Sequence, residues 1–198
     1  MGGSPRVVVE DVPDGGVLCL LLGGLRGEEV RPEPLADHPD QARSEDDGAH
    51  FAPSILLART GLGFRRTVAA APHRGIGVVP TLAVDASPAH RGRVYVAWVA
   101  LRAETDAMTP DTEVICRHAD AAARLDEMNW SASIPVHGAD GALNFHPWLT
   151  LDPVDGRVVV LWHGTRLDPT AQTSVHTWLS VSGDGGETWA ERRLSAYA

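Results

Sequence analysis

Apolar and polar residues alternate along much of this chain, and the alternating segments recur in a fixed order. Residues 80–85 read PTLAVD, and residues 92–98 read GRVYVAW after a short turn. The same order returns at residues 147–152, PWLTLD, and 156–162, GRVVVLW, about 67 residues further along. A weaker copy occupies residues 5–22, where VVVED, a turn with proline and glycine, and VLCLLL follow one another. Alternation with a period of two predicts β-strands, and a long fixed spacing predicts repeated structural units.

Each copy continues with a second half of similar design. A loop and a further strand-like run follow, and then a short turn that bears glycine or ends in an aromatic residue. These third strands are expected at residues 54–60, 112–119 and 173–181. Four strands joined by three turns make the pattern of a propeller blade. The sequence therefore predicts an all-β chain of three blade units, at about residues 5–79, 80–146 and 147–198.

The turn at residues 182–189, SGDGGETW, is the most specific motif in the chain. The Asp184 carboxylate and the Ser182 hydroxyl can accept backbone N–H groups inside this turn, and its glycines can take positive φ without steric cost. The octet resembles the Asp-box, or BNR repeat, of sialidases and related β-propellers. Its signature positions here are Ser182, Asp184, Gly186, Thr188 and Trp189.

A second resemblance covers residues 145–169, which look like one blade of bacterial sialidase-family proteins. The two resemblances together imply a β-propeller segment of about three four-stranded blades, half of a six-bladed sialidase-like propeller. They imply a glycan as the possible ligand. They do not by themselves identify a reaction, since Asp-boxes also occur in propellers without catalytic activity.

Composition and charge indicate a chain with its own core and exclude some classes of function. The 198 residues are 43% hydrophobic, which is enough for one sizeable core. The formal net charge is −9 and there is no basic patch, so nucleic acid is not expected as a partner. Residues 26–52 contain most of the acidic excess, three prolines and few large apolar residues. This stretch predicts a long, solvated and mobile acidic loop.

Cysteine, histidine and apolar runs give further expectations. Cys19 and Cys116 lie in apolar strands of different units and are expected in the core rather than in a disulfide. The nine histidines show no metal-ligand spacing, so no metal or cofactor is predicted. The longest apolar run is too short to span a bilayer, and no membrane partner is expected. A cytoplasmic location follows if Met1 is the native start, whereas a longer, secreted parent leaves the location open.

Candidate ligand-binding residues lie in the longer loops and in the links between units, because long loops of propellers usually carry function. The candidates are Arg102, Glu104, Asp106, His146, His163, Arg166 and Asp168. Each also has a structural interpretation. Arg166 with Asp168 could form a surface salt bridge or stabilise a turn, and Glu104 with Asp106 could form a solvated acidic loop.

The sialidase resemblance implies a reaction against which these residues can be compared. Sialidases bind the substrate carboxylate with three arginines and use a tyrosine nucleophile paired with a glutamate, together with an aspartate acid/base. Here Tyr95 lies within an apolar strand, and Tyr197 is near the end of the chain without a partner glutamate. No catalytic residue is therefore assigned.

Two function classes remain open from the sequence. One is a sialidase-like glycoside hydrolase family propeller that acts on or binds glycans, incomplete or catalytically impaired as this chain. The other is a non-catalytic Asp-box propeller that serves as a protein-interaction platform.

The number of blades raises a question of its own. The inner strands, such as residues 94–98, are apolar on both faces, as expected of strands covered on both sides. Three blades cannot close a ring, because propellers have about four to eight. Open ends would expose unpaired backbone groups and apolar sheet faces. Either the missing blades belong to a longer parent, or a homodimer completes six blades. A third possibility is an open arc of three blades, which is expected to be poorly soluble unless a partner covers its ends.

Overall fold

A computed structural model describes residues 5–10, 17–22, 42–43, 55–62, 65–103, 107–120 and 129–196. Over these residues the protein is all-β, with no helix, and its strands form three four-stranded sheets and one two-stranded hairpin. The predicted all-β class and the four-stranded sheets are therefore present.

The first sheet departs from a simple meander. It contains β1 (Pro5–Glu10), β2 (Val17–Leu22), β3 (Ala42–Arg43) and β4 (Ile55–Arg59). β2 pairs antiparallel with β1 and β4, and parallel with the two-residue β3. β3 falls inside the predicted acidic loop at residues 26–52, and the rest of that loop lies outside the described residues.

A separate hairpin replaces the fourth strand that the sequence predicts for the first unit. It consists of β5 (Arg66–Val68) and β6 (Ala71–Ile76), which pair antiparallel with each other. The prediction of four successive antiparallel strands is wrong for this unit. Only two residues separate β5 from β6, so β5 pairs with its nearest neighbour in the chain. Gly75 assists, since a Cβ there would lie 2.5 Å from the Arg66 carbonyl oxygen.

The second and third sheets are antiparallel and follow chain order. The second sheet contains β7 (Thr81–Val84), β8 (Val94–Ala103), β9 (Asp111–Ala119) and β10 (Ile134–Pro135). The third contains β11 (Asn144–Leu151), β12 (Val158–Gly164), β13 (His176–Ser182) and β14 (Ala190–Arg193). Each strand lies where the repeated sequence pattern predicts one, to within a few residues.

Equivalent positions of these two sheets share backbone geometry. Gly92 and Gly156, each just before the second strand of its sheet, have φ of +88° and +75°. A Cβ on Gly156 would lie 2.6 Å from Ser87 Oγ, so this turn requires glycine for space as well as for conformation. Val79 and His146, each before the repeated proline, also have positive φ, of 39° and 51°. The sequence does not predict this kink, because a residue before proline is normally extended.

The sheets pack face to face in chain order. Residues 94–100 of β8 are all buried, which confirms that this strand is covered on both faces. Trp98 lies in a core cluster with Leu57 of the first sheet. Tyr95, on the opposite face of β8, lies in a second cluster with Trp162 of β12. Trp162 occupies in the third sheet the position of Trp98 in the second, so each tryptophan packs towards the preceding sheet.

The third sheet is covered on one face only, among the described residues. Along β12, Val158, Val160 and Trp162 are buried, whereas the residues between them are half-buried. The strand registers place the half-buried residues on one common face, and Trp148 on that face is 71% exposed. We call this surface the outer face of the third sheet; it consists of Trp148, Thr150, Val159, Leu161, Leu179 and Val181.

Candidate functional site

Three connections meet at one end of the second and third sheets, which we call the loop end. They are the β8–β9 and β12–β13 loops and the link from β10 to β11. The opposite end carries the β11–β12 and β13–β14 turns. A groove of about 110 Å³ opens at the loop end, and its ionisable lining consists of Arg102, Asp111, Glu113, His137 and Asp140. This groove is the candidate site, since it contains one of the predicted arginines and lies beside a second.

Arg102 is engaged by carboxylates of its own sheet. Its Nε atom lies 3.4 Å from Asp111 Oδ2, and the Asp111 side chain is only 7% exposed. Burial raises the pKa of the Asp111 carboxyl group above its usual value, although Arg102 acts in the opposite direction. Burial likewise raises the pKa of Glu113, which Arg102 also counteracts. Arg102 therefore offsets the buried Asp111 and the half-buried Glu113 and is not a free cation.

Arg166 is held by acids from two other segments. Its Nε atom lies 2.7 Å from Asp140 Oδ2, and its Nη1 atom lies 2.9 Å from Glu191 Oε2 on β14. The guanidinium also lies over the Trp178 ring, 4.6 Å from the centroid. The Arg166 and Asp140 side chains are 14% and 10% exposed. This network links the β12–β13 loop, the β10–β11 link and the outermost strand, so the geometry gives Arg166 a structural role.

Asp168 does not pair with Arg166. Its Oδ2 atom accepts hydrogen bonds from the backbone N–H groups of Thr173 and Ser174 and from the Thr173 hydroxyl, at 2.9–3.1 Å. Its Oδ1 atom accepts a weaker one from Ala171 at 3.3 Å. These donors lower the pKa of the Asp168 carboxyl group below its usual value. Asp168 thus organises its own loop. Of the interpretations open from the sequence, this corresponds to stabilisation of a turn rather than to a salt bridge with Arg166.

His146 and His163 come together at the edge of the outer face. Their ring centroids are 6.3 Å apart, and both rings also contact Phe145. Burial lowers the pKa of both imidazoles, and the neighbouring His163 lowers that of His146 further. Both rings are consequently neutral at pH 7. The two imidazoles and Phe145 therefore form an aromatic cluster rather than a charged one.

His137 has a defined tautomer at the base of the groove. Its Nε2 atom accepts a hydrogen bond from the Val114 backbone N–H at 3.1 Å, and its Nδ1 atom lies 2.7 Å from the Gly138 carbonyl oxygen. The proton is therefore assigned to Nδ1. The ring stacks on Trp162, with centroids 5.3 Å apart. Both nitrogens are used within the fold, so His137 is a packing residue and not a general base.

The turn at residues 182–189 has the hydrogen bonds that the sequence predicts. Asp184 Oδ1 accepts from the Ser182 hydroxyl and from the backbone N–H groups of Glu187 and Thr188, at 2.7–3.2 Å. Its Oδ2 atom accepts from the Thr188 hydroxyl, and Ser182 Oγ accepts from the Gly186 N–H at 2.8 Å. The carboxylate therefore closes the turn from inside.

The same turn also packs on the second sheet. Gly185 and Gly186 have φ of +77° and +94°. A Cβ on Gly186 would lie 3.1 Å from both Tyr95 Cε1 and His118 Cδ2. The half-buried Trp189 side chain packs against the core cluster between the two sheets. The turn thus pins the end of the third sheet to its neighbour.

Replacing Asp184 by asparagine should lower the free energy of unfolding by about 1–2 kcal/mol at pH 7, since a charged acceptor of several hydrogen bonds is lost. The pKa of Asp184 is far below its usual value, chiefly because of the Thr188 hydroxyl and N–H. The stabilisation is therefore complete above the unfolded-state pKa of about 4 and falls as the pH drops below it. Urea denaturation at pH 7 and pH 2.5 should give a smaller difference at the lower pH; an unchanged difference would contradict this account.

The described residues contain no activated nucleophile at the loop end. Tyr95 is fully buried between the second and third sheets, and burial raises its pKa to about 12. Cys116 is a buried core residue, as predicted, and burial raises the pKa of its thiol. Glu104, Asp106 and Tyr197, and the side chain of Cys19, lie outside the described residues.

Sequence reasoning missed the buried polar centre of the site. Asn144 is fully buried; its Nδ2 atom donates to the Thr112 carbonyl and to Asp140, and its Oδ1 atom accepts from Trp162 Nε1 at 3.1 Å. The only signal in the sequence is a polar residue at the start of an apolar strand. Glu191 was missed too, since its partner Arg166 is distant along the chain.

No protein-family model matches this chain, and no curated protein matches it. Within the part of the chain that the structure describes, no helix is long and apolar enough to cross a membrane. The same residues contain no group of three or more histidine, cysteine or acidic side chains placed to hold a metal ion.

Proposed function

We propose that this chain is part of a sialidase-like β-propeller of the Asp-box type, and that it serves as a protein-interaction platform rather than as a glycoside hydrolase. The sheets are the blades of that propeller. The loop-end groove belongs to the internal ion-pair network, and the surface used for binding is the outer face of the third sheet.

The repeat geometry supports the propeller. The second and third sheets have the same strand order, the same glycine turn and the same kink before proline. Each also directs its repeated tryptophan, Trp98 or Trp162, towards the preceding sheet. Successive sheets related by one repeated packing operation are the building principle of a propeller.

The charges at the loop end argue against hydrolysis of a sialoside. Four carboxylates, from Asp111, Glu113, Asp140 and Glu191, surround two guanidinium groups, from Arg102 and Arg166. An acidic ligand would meet excess negative charge instead of a free arginine clamp. Tyr95, within the described residues, lies in the core and not in the groove.

The main support for a protein-interaction platform comes from the outer face of the third sheet. Trp148 on this face is 71% exposed, and Val159, Leu161, Leu179 and Val181 beside it are only half-buried. On the equivalent face of the second sheet, by contrast, Tyr95 and Ala97 are completely buried against the third sheet. Contiguous exposed apolar surface of this kind is typical of an interaction site.

A fluorogenic α-sialoside tests the absence of hydrolysis. The purified protein should release no fluorophore above the buffer rate, because the described residues supply neither a nucleophile nor a free clamp. A matched preparation of Arg166→Ala serves as the control for contaminating activity. Turnover by the wild type that disappears in Arg166→Ala would contradict the platform proposal and favour a hydrolase.

Glycan binding is the second candidate, and the exposed Trp148 favours it. Its ring lies on the same sheet as the neutral rings of His146 and His163, and aromatic faces of this kind can stack on sugar rings. Titration with a panel of sialosides and neutral glycans, followed by tryptophan fluorescence, tests it. Saturable binding that is lost in Trp148→Ala but kept in Val154→Ala would select this candidate.

A further inference from the structure

We propose that a groove between the β5–β6 hairpin and the start of β7 binds a carboxylic acid with a medium-length apolar chain. We call it the hairpin groove; residues 65 and 74–80 line it. Its volume is about 380 Å³, within the range of small-molecule sites. It shares no residue with the loop-end groove or with the outer face of the third sheet. This site is therefore independent of the proposed platform function.

Only positive charge lines the hairpin groove. Its charged lining residues are Arg65 and Arg74, and no carboxylate is among them. The loop-end groove, in contrast, has three carboxylates in its lining, from Asp111, Glu113 and Asp140. In a chain with a formal net charge of −9, an anion is therefore favoured at the hairpin groove and disfavoured at the loop end.

Arg74 has a free guanidinium group. It is exposed and makes no ion pair or hydrogen bond through its side chain with any of the described residues. The Arg65 side chain, in contrast, is engaged: Nε donates to the Arg74 carbonyl oxygen at 2.9 Å, and Nη2 donates to the His73 carbonyl oxygen at 2.6 Å. Arg65 therefore holds the backbone that carries Arg74, and the Arg74 guanidinium remains available for a ligand.

A β-bulge positions Arg74 beside the groove. The pairing of β5 with β6 is interrupted, so that a single residue of β5 lies opposite residues 72–75 of β6. Gly75 has φ of +68°, and a Cβ there would collide with the Arg66 carbonyl oxygen. Bulges of this kind redirect side chains and are frequent next to functional sites. The bulge and the hydrogen bonds of Arg65 together fix the backbone on both sides of Arg74.

The rest of the lining is apolar. Residues 75–80 supply only glycine, proline and aliphatic side chains. Val79 is 43% exposed and has φ of +39°, a conformation that β-branched residues rarely adopt and that asparagine or aspartate takes more easily. Valine at this position therefore keeps an apolar surface near Arg74 at a conformational cost. Such a surface suits a hydrocarbon chain attached to a carboxylate.

Charge and lining together define the occupant. One free guanidinium matches one carboxylate, and the aliphatic lining removes a hydrocarbon chain from water. The same lining offers the hydroxyl groups of a sugar no side-chain partner apart from the arginines. A single guanidinium also falls short of the three-arginine clamp of sialidases. A medium-chain fatty acid such as octanoate has both of the required parts.

Isothermal titration calorimetry of the full chain with octanoate at pH 7 tests the site. We expect saturable binding with a dissociation constant below about 1 mM. Octanamide has the same chain without the charge and should bind about tenfold more weakly, because a charge-assisted hydrogen bond is lost. Butyrate has a shorter chain and should also bind at least about tenfold more weakly, because fewer methylene groups leave water.

Arg74→Gln is the decisive variant. It removes the free guanidinium at an exposed position, so the fold should be kept and octanoate should bind about tenfold more weakly. Arg91→Gln is the matched control, since Arg91 is exposed in the connection between β7 and β8 and does not line the groove. It should bind octanoate as the wild type does. Circular dichroism verifies that both variants are folded.

Val79→Asp and Val79→Asn form a second pair, which isolates charge from loss of apolar contact. Both new residues tolerate the backbone conformation of this position better than valine, so neither is expected to unfold the hairpin. The carboxylate of Val79→Asp repels that of octanoate, and binding should fall below detection. Val79→Asn adds no charge and should weaken binding by only about two- to fivefold.

Three results would overturn the inference. The first is the absence of saturable octanoate binding up to about 1 mM. The second is equal affinity of the wild type and Arg74→Gln. The third is tighter binding of a short peptide with a free C-terminal leucine than of octanoate, which would make a polypeptide terminus the occupant in place of a fatty acid.

Discussion

Trp162→Ala is expected to lower the free energy of unfolding by about 3–5 kcal/mol, the range found when a fully buried large aromatic side chain is truncated. Trp162 is completely buried between the second and third sheets. It stacks on His137, and its Nε1 atom donates to Asn144 Oδ1 at 3.1 Å. Truncation leaves a cavity in this interface and also removes a partner of a buried amide. Urea denaturation at pH 7 measures the effect.

Trp148→Ala is the matched control for this substitution. Trp148 lies one strand away from Trp162 but is 71% exposed. Its truncation removes little buried area from the single chain, and the expected loss is within about 0.5 kcal/mol. Equal losses at both positions would contradict the assignment of inner and outer faces.

Arg166→Ala is expected to lower the free energy of unfolding by about 2–4 kcal/mol, somewhat less than the loss for a wholly buried ion pair. The substitution removes the cation that faces Asp140 and Glu191, and Asp140 is only 10% exposed. The guanidinium also leaves the face of Trp178. The mostly buried carboxylate then lacks its counter-charge, and this unpaired charge is the main cost.

Arg157→Ala provides the comparison for Arg166. Arg157 pairs with Asp155 at 3.2 Å, but its side chain is 64% exposed. Exposed pairs of this kind contribute about 0–1 kcal/mol, so the variant should be close to the wild type in stability. Denaturation curves of Arg166→Ala and Arg157→Ala give this comparison. Curves of Asp140→Asn with and without Arg166→Ala complete a double-mutant cycle, which isolates the coupling energy between Arg166 and Asp140. An Arg166→Ala protein as stable as Arg157→Ala would show that Arg166 is free for a ligand.

The loop-end residues explain why candidate sites are hard to read from a sequence. Arg166 and Asp168 are two positions apart and of opposite charge, which suggests a pair. In the structure each has other partners, Asp140 and Glu191 for Arg166 and loop N–H groups for Asp168. Proximity in sequence sets neither the direction of a side chain nor its burial.

The first unit gives the corresponding lesson for topology. Its strands are visible as apolar runs, and β1, β2 and β4 pair as the repeat predicts. The partner of β5 is not visible, because hairpin formation with β6 and pairing with β4 both satisfy the same alternating pattern. The short connection between β5 and β6 favours the hairpin, because closing a short loop costs little entropy. The alternation of apolar and polar residues does not by itself show which of the two pairings is preferred.

Interactions between residues close together in the chain determine many features of this structure, and the sequence alone was sufficient to predict them. Alternating side chains specify strands, glycines at repeated positions specify tight turns, and the hydrogen bonds of Asp184 lie within eight residues, so all three are encoded locally. Only the tertiary structure decided which face of each sheet is covered, which acids neutralise Arg102 and Arg166, and that Asn144 is the buried polar centre. Those outcomes depend on segments distant along the chain, where burial and charge are set by what packs nearby rather than by the neighbouring residues.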